Sequence, residues 1–133
     1  MSTSIAHISI NVRDISFYRQ LVKYLGFRII TEYPSDFGAS DGSVSLWAFG
    51  VQEKYGKHPF HRKAAGLNHI AFRVGSREEV DAFYKDYLLA NNVPVLYGGP
   101  ALYLEYVAGY YAVYFEDPDR IKLEVAFIPG KHN

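Results

Sequence analysis

The chain of 133 residues is long enough for one compact domain with a real hydrophobic core, and its 14 basic and 14 acidic residues cancel. It has no long run of one charge sign, which argues against a nucleic-acid or anionic membrane partner, and no cysteine, which excludes disulfides, thiolate metal sites and a cysteine nucleophile. With neither a signal pattern nor a membrane-spanning apolar run, we expect a cytoplasmic protein with a small-molecule partner.

The first half of the chain predicts a strand, a helix and further strands. Residues 6–12 alternate, so His7, Ser9 and Asn11 share one face of a strand. Asp14 is placed to cap a helix that ends at Gly26. Further strands are expected at 27–33 and 43–49, a turn region with room for a short irregular strand at 34–42, and a linker or functional loop at 50–66.

The second half repeats this pattern. Residues 67–74 alternate as before, with His69 at the place of His7, and Ser76 with Glu79 predicts a capping box at the start of the next helix. A strand at 91–96, a loop at 97–108 and a β-hairpin at 110–127 follow. We therefore predict an α+β fold of two βαβββ modules, 1–62 and 63–133, that form a curved mixed sheet around a cavity.

A carboxylate in the middle of the last strand points to a metal site. Glu124 lies opposite the apolar face of its strand, and a buried carboxylate needs a cation nearby. Packing of the repeats should bring His7 and His69 beside Glu124, a ligand set that suits Fe(II), Mn(II), Zn(II) or Ni(II) and leaves coordination positions open. Matching the two Ala-Phe strand endings puts Leu46 at the position of Glu124, so no fourth ligand is expected. A metal-free hydrogen-bonded network of the same three side chains is the alternative.

Around these residues the chain resembles the vicinal oxygen chelate superfamily, which includes glyoxalase I, extradiol dioxygenases, fosfomycin-resistance enzymes, methylmalonyl-CoA epimerase and bleomycin-binding proteins. The resemblance covers essentially the whole chain, and its specific parts are residues 6–14, 17–18, 25–27, 67–72, 114–119 and 122–124. It implies one divalent metal on His7, His69 and Glu124 and a substrate whose oxygens bind that metal, in lyase, isomerase or extradiol-type dioxygenase chemistry.

The chain departs from two branches of this superfamily. Glyoxalase I would carry a carboxylate or glutamine around residues 44–46, and none is present. The fosfomycin enzymes would carry a cationic, serine-rich loop before Tyr114, whereas residues 103–112 contain no Lys, Arg or Ser. Ser9 stands where those enzymes contact a phosphonate through threonine.

The resemblance also assigns roles around the metal. Tyr114 resembles the active-site tyrosine of extradiol dioxygenases and would donate a hydrogen bond or proton, with His58 or His61 as the acid–base histidine. Against this role, both histidines lie in a polar loop, where histidines are more often plain surface residues. Arg73 could hold an anionic group of the substrate. The pocket would be lined by Trp47, Tyr103, Tyr106 and Tyr110. Loop packing of the tyrosines and a surface ion pair of Arg73 are the competing interpretations.

Together these features predict a small metal-dependent enzyme acting on a compact oxygenated substrate with an aromatic or apolar body. The alternative is a metal-free module that sequesters a hydrophobic ligand, as in the bleomycin-binding branch; retention of the three ligands favours the enzyme. In the resembling families paired βαβββ units close one cavity, and in several the two units come from different subunits. The resemblance therefore implies a homodimer, and the linker at 50–66 is long enough to allow the halves of two chains to pair.

Overall fold

The structure, a computed structural model that describes residues 1–130, divides into two units, Met1–Pro59 and the residues from Phe60 onward. Each unit contains the βαβββ order and a four-stranded mixed sheet, as predicted. Residues 131–133, at the end of the predicted second module, lie outside the described residues. No helix within residues 1–130 is both long and apolar enough to cross a membrane.

The first unit is a sheet with one helix. Its elements are β1 His7–Val12, α1 Ile15–Tyr24, β2 Arg28–Glu32, β3 Asp36–Ser40, β4 Ser45–Gly50 and a short 3₁₀ turn Glu53–Tyr55. The strand order is β1-β4-β3-β2, with β1 and β4 parallel and the other pairs antiparallel. The Asp14 carboxylate accepts a hydrogen bond from the Phe17 N–H at 2.9 Å, so it caps α1 as predicted.

The second unit repeats the sheet order. Its elements are β5 His69–Arg73, α2 Arg77–Phe83 continued by a π-helical segment Tyr84–Leu89, β6 Val95–Leu102, β7 Tyr111–Glu116 and β8 Lys122–Phe127. The order is β5-β8-β7-β6, with β5 and β8 parallel. The Ser76 hydroxyl caps α2 by accepting from the Glu79 N–H at 3.2 Å, while the Glu79 carboxylate accepts from the Gly75 N–H at 2.6 Å.

The two faces of the second sheet differ in character, as the alternation predicted. Leu123 and Val125 are fully buried on the face that packs against α2, where the Phe83 and Phe115 ring centroids lie 5.4 Å apart. Since side chains alternate across a strand, Glu124 points to the other face. That face carries the candidate site.

The prediction of a loop at 97–108 was wrong at its start, because β6 continues to Leu102. Pairing with β7 shifts from Leu96 opposite Tyr114 to Ala101 opposite Ala112, which marks a bulge inside the strand. Tyr97, Gly98 and Gly99 all have positive φ there. Glycines permit this backbone but are also typical of loops, so the sequence pattern predicts a loop where the strand in fact continues.

The match of Leu46 to Glu124 was also wrong. β1 aligns Ser9 with Trp47, and β5 aligns Ala71 with Glu124, so Trp47 holds the register position of Glu124. Leu46 points into the core, where it is 6% exposed. The two Ala-Phe endings are offset by one residue in the ladder, and a one-residue slip moves every side chain to the opposite face.

Candidate functional site

Glu124 is the centre of the candidate site in the second unit. It lies in the middle of β8, between Tyr114 on β7 and Ala71 on β5, and is 1% exposed. A carboxylate at this depth needs hydrogen-bond donors or cations to compensate the loss of water. Two neighbouring side chains, His69 and Tyr110, reach its two oxygens.

The hydrogen bonds of His69 define its tautomer. Its Nδ1 lies 2.6 Å from the side-chain oxygen of Asn68, which can only accept, so Nδ1 carries the proton. In a neutral imidazole, Nε2 is then an acceptor, yet it lies 3.2 Å from the carboxylate oxygen Oε1 of Glu124. Two acceptors at this distance require a proton or a metal cation that both can bind. These two atoms therefore fit a divalent metal, for which a neutral imidazole and a carboxylate are good ligands.

Tyr110 satisfies the second oxygen of Glu124. Its hydroxyl donates a hydrogen bond to Oε2 at 2.5 Å in a buried position. Burial, with the hydrogen bond to Glu124, raises the pKa of Tyr110 well above its ordinary value. Burial, with the charge of Glu124, likewise raises the pKa of Tyr114 and of Tyr103. The three phenols therefore stay protonated near neutral pH and are available as hydrogen-bond donors.

Tyrosine rings form an aromatic wall beside Glu124. The Tyr114 ring lies 5.3 Å from that of Tyr103 and 6.1 Å from that of His69, both edge-on. The rings of Tyr106 and Tyr110 lie 5.3 Å apart, and Tyr97 meets Tyr114 at 5.4 Å. Tyr106 and Tyr97 are exposed, whereas Tyr110 and Tyr114 are buried. The wall is thus apolar in body with phenol groups at its tips.

Some predicted site residues lie apart from this cluster. Arg73 is exposed at the end of β5, about 13 Å along the strand from His69. His58 and His61 are exposed, and the His61 ring accepts from the Lys63 N–H at 3.0 Å in a local turn.

Three predicted site residues belong to the first unit. His7 and Ser9 are exposed on β1, and Trp47 on β4 lies with its ring over Gly38, where an added Cβ would come within 2.7 Å of the ring. Across residues 1–130, no three His, Asp or Glu side chains are gathered closely enough to hold a metal. The second unit supplies His69 and Glu124 together, and the participation of His7 stays a prediction.

Sequence reasoning missed three residues of the site. Strand alternation places Lys122 on the face of Glu124, two residues away, but alternation does not by itself assign Lys122 to the site. Asn68 directly precedes His69 and fixes its tautomer, which no pattern signals. Tyr97 reaches Tyr114 through the bulge of β6, where the sequence pattern predicts a loop.

Comparisons with known proteins agree with the fold. The family model of the Glyoxalase/Bleomycin resistance protein/Dioxygenase superfamily matches residues 4–125. The uncharacterized protein YqjT of Bacillus subtilis is 32% identical over 130 residues, which is 90% of this chain and 94% of that protein.

Several solved structures have a fold similar to that of this chain. The crystal structure of a "putative glyoxalase" from Bacillus halodurans superposes with a TM-score of 0.79 at 32% identity, over 93% of this chain and 95% of that one. Lactoylglutathione lyase from Agrobacterium tumefaciens gives 0.67 at 22% identity, over 96% and 95%. The fosfomycin resistance protein FosX from Listeria monocytogenes gives 0.68 at 20%, also over 96% and 95%, so these last two share the fold alone. The family match and the relative of 32% identity show that the chain belongs to the glyoxalase/bleomycin resistance protein/dioxygenase superfamily.

Proposed function

We propose that this protein is a divalent-metal-dependent enzyme that acts on a compact oxygenated substrate with an aromatic or apolar body. His69 and Glu124 would supply two metal ligands, and His7 of the first unit would supply the third. The observation that carries the proposal is the pair of acceptors, Nε2 of His69 and Oε1 of Glu124, at 3.2 Å. Such a pair is unfavourable until a proton or a metal cation joins it, and the metal is the occupant that we propose.

The surrounding residues prepare this pair for a metal. A divalent metal bound there would polarise a substrate oxygen as a Lewis acid and stabilise negative charge that develops on it. Asn68 holds the Nδ1 proton of His69, which keeps the Nε2 lone pair directed at Glu124. Tyr110 binds Oε2 of Glu124 and so orients the carboxylate, leaving Oε1 on the side of His69.

Tyr114 is the group placed to donate to the substrate. It stands directly opposite Glu124 in the β7–β8 ladder, and its raised pKa keeps the hydroxyl protonated. A donor of this kind can stabilise an oxyanion or deliver a proton to it. The rings of Tyr103 and Tyr106 give the substrate an apolar surface and reduce the access of water.

Metal analysis tests the proposal directly. Protein purified without added metal, then titrated with Zn²⁺, Mn²⁺ or Fe²⁺, should bind about one equivalent per chain with micromolar or better affinity. Glu124→Gln should reduce that affinity by about a hundredfold or more, whereas Glu116→Gln should retain it. Glu116 is a matched control because it is also a buried carboxylate, but one paired with Arg62 at 2.5 Å. Equal metal content in wild type and Glu124→Gln would refute the assignment.

A metal-free ligand-binding protein is the second candidate. The hydrogen bond from Tyr110 compensates part of the Glu124 charge without any metal, and this favours it. In that case the wild type would retain no metal, and binding of a hydrophobic ligand would be the same before and after treatment with EDTA.

We extend the proposal to a homodimer, since the linker at residues 50–66 is long enough to let the halves of two chains pair. If the units of one cavity come from two chains, mixing inactive His7→Ala with inactive Glu124→Ala after partial unfolding should restore activity. Refolded mixtures that stay inactive while each parent is dimeric would show that the ligands come from one chain.

A further inference from the structure

A lysine with no acidic partner lies on the same sheet face as Glu124. Lys122 is half-buried on β8, with its Nζ 4.7 Å from the centre of the Tyr114 ring and 5.1 Å from that of Tyr97. Both contacts are cation–π interactions, which orient an ammonium group but do not neutralise it. Among residues 1–130, no carboxylate lies within ion-pair distance of this Nζ.

The carboxylates on this face are engaged elsewhere. Glu116 lies directly opposite Lys122 in the ladder, but it pairs with Arg62 at 2.5 Å and Arg120 at 3.3 Å. Glu124 is held by Tyr110 and His69. Two guanidinium groups therefore pair with Glu116, and the Lys122 ammonium has no counter-charge among the described residues. Aromatic rings partly shield this ammonium from water. A cation in this state attracts an anion from solution.

We propose that Lys122 binds a carboxylate group of the substrate, which makes the substrate an organic anion. This proposal rests on the proposed function, because it assumes that the metal-binding oxygen of the substrate lies at Glu124 while the carboxylate of the substrate lies at Lys122. Lys122 and Glu124 are two residues apart on one strand, so their Cα atoms are separated by about 6.6–6.8 Å. A single aromatic ring with an oxygen at one end and a carboxylate at the other has a comparable length.

Tyr97 gives the anion site a fixed wall. Its backbone has φ of +57°, which is rare for a residue other than glycine, and the bulge of β6 holds it there. This conformation places the Tyr97 ring against both Tyr114 and Lys122. The ammonium is therefore held between two rings before any ligand arrives, which lowers the entropy lost on binding.

The test compares a carboxylate probe with its neutral analogue. Binding of 4-hydroxybenzoate and 4-hydroxybenzamide is measured by calorimetry, on protein dialysed against EDTA and on protein loaded with Zn²⁺. In both states the wild type should bind the acid about tenfold or more tightly than the amide, because a charge-assisted contact is lost in the amide. Lys122→Met and Lys122→Gln should bind the acid no better than the amide, while Lys85→Met, at an exposed helical lysine, should behave as wild type.

The outcomes separate this proposal from the metal site. Equal affinity for acid and amide in the wild type, binding of neither probe, or unchanged preference in both Lys122 variants would overturn the role of Lys122. Metal content is measured on the same samples and should not change in Lys122→Met. A wild type that holds no metal but still prefers the acid through Lys122 would refute the proposed function and leave the anion site standing.

Discussion

Replacing Tyr110 by phenylalanine removes one hydroxyl that holds the carboxylate of Glu124. In the wild type this hydroxyl donates to Oε2 at 2.5 Å, in a position where Glu124 is 1% exposed. Without it, one oxygen of a buried carboxylate loses its donor while the ring still fills the same space. The change therefore tests orientation of the ligand rather than packing.

Tyr110→Phe should change two measurable quantities, the free energy of unfolding and the affinity for metal. A buried hydrogen bond to a charged group contributes about 1.5–3 kcal/mol, so Tyr110→Phe should lower the free energy of unfolding of the metal-free protein by a similar amount. Loss of a group that orients a metal ligand weakens metal binding by about 10–100-fold, which corresponds to about 1.4–2.7 kcal/mol. Urea unfolding of the metal-free protein and competition titration with a chromophoric chelator measure the two effects separately.

Tyr111→Phe is the matched control on the adjacent residue. Tyr111 donates to Asp81 at 2.6 Å on the opposite face of β7. Because both side chains are only half-buried, water compensates part of the loss, so Tyr111→Phe should cost about 0.5–1.5 kcal/mol of stability and leave metal affinity unchanged. That hydrogen bond raises the pKa of Tyr111 above its ordinary value. Its contribution to stability is therefore present below pH ~10 and is lost as the pH rises further. Metal affinity of Tyr110→Phe equal to that of the wild type would refute the proposed orientation of Glu124.

Two further substitutions probe the aromatic parts of the sites. Tyr114→Phe should lower turnover by about a hundredfold or more with metal content intact, because a positioned donor is lost; an unchanged rate in a steady-state assay would remove Tyr114 from the mechanism. Gly38→Ala should shift the fluorescence of Trp47, the only tryptophan of the chain, and destabilise by about 1–3 kcal/mol, since the new Cβ would come within 2.7 Å of its ring. Gly75→Ala, where a Cβ has ordinary contacts at 3.4 Å, should leave the emission unchanged.

Much of the fold can be predicted from the spacing of apolar residues, which recurs every two residues in a strand and about every 3.6 residues in a helix. The strands of β5 and β8, the caps Asp14 and Ser76, and the burial of one face of the last hairpin all follow from local rules of alternation and capping. These rules work because each depends on residues close in sequence. The pairing of His69 with Glu124 also follows, since the parallel ladder of β5 and β8 puts the two side chains on one face.

The rest depends on interactions that no local pattern encodes. The bulge at Tyr97 to Gly99 interrupts β6 without ending it, because the strand resumes its pairing at Ala101. The pairing of Glu116 with Arg62 joins residues 54 positions apart, and it is one of the contacts that leave Lys122 without a carboxylate partner in the described part of the chain. A sequence pattern can place Lys122 on the correct face of the sheet, but it cannot show which carboxylates already have ion-pair or hydrogen-bond partners.

The corrected register changes how the duplication is interpreted. Trp47 and Glu124 occupy equivalent positions of the two units, so the repeat has placed an indole in one and a carboxylate in the other. An indole N–H is a donor only and cannot ligate a metal, so this position of the first unit supplies no fourth ligand. Its ring instead lies flat over Gly38 and stacks with Phe49 at 6.4 Å, which is suited to contact with a planar apolar group. The two units thus carry different chemistry at the same place: one an aromatic surface, the other a buried carboxylate with a histidine beside it.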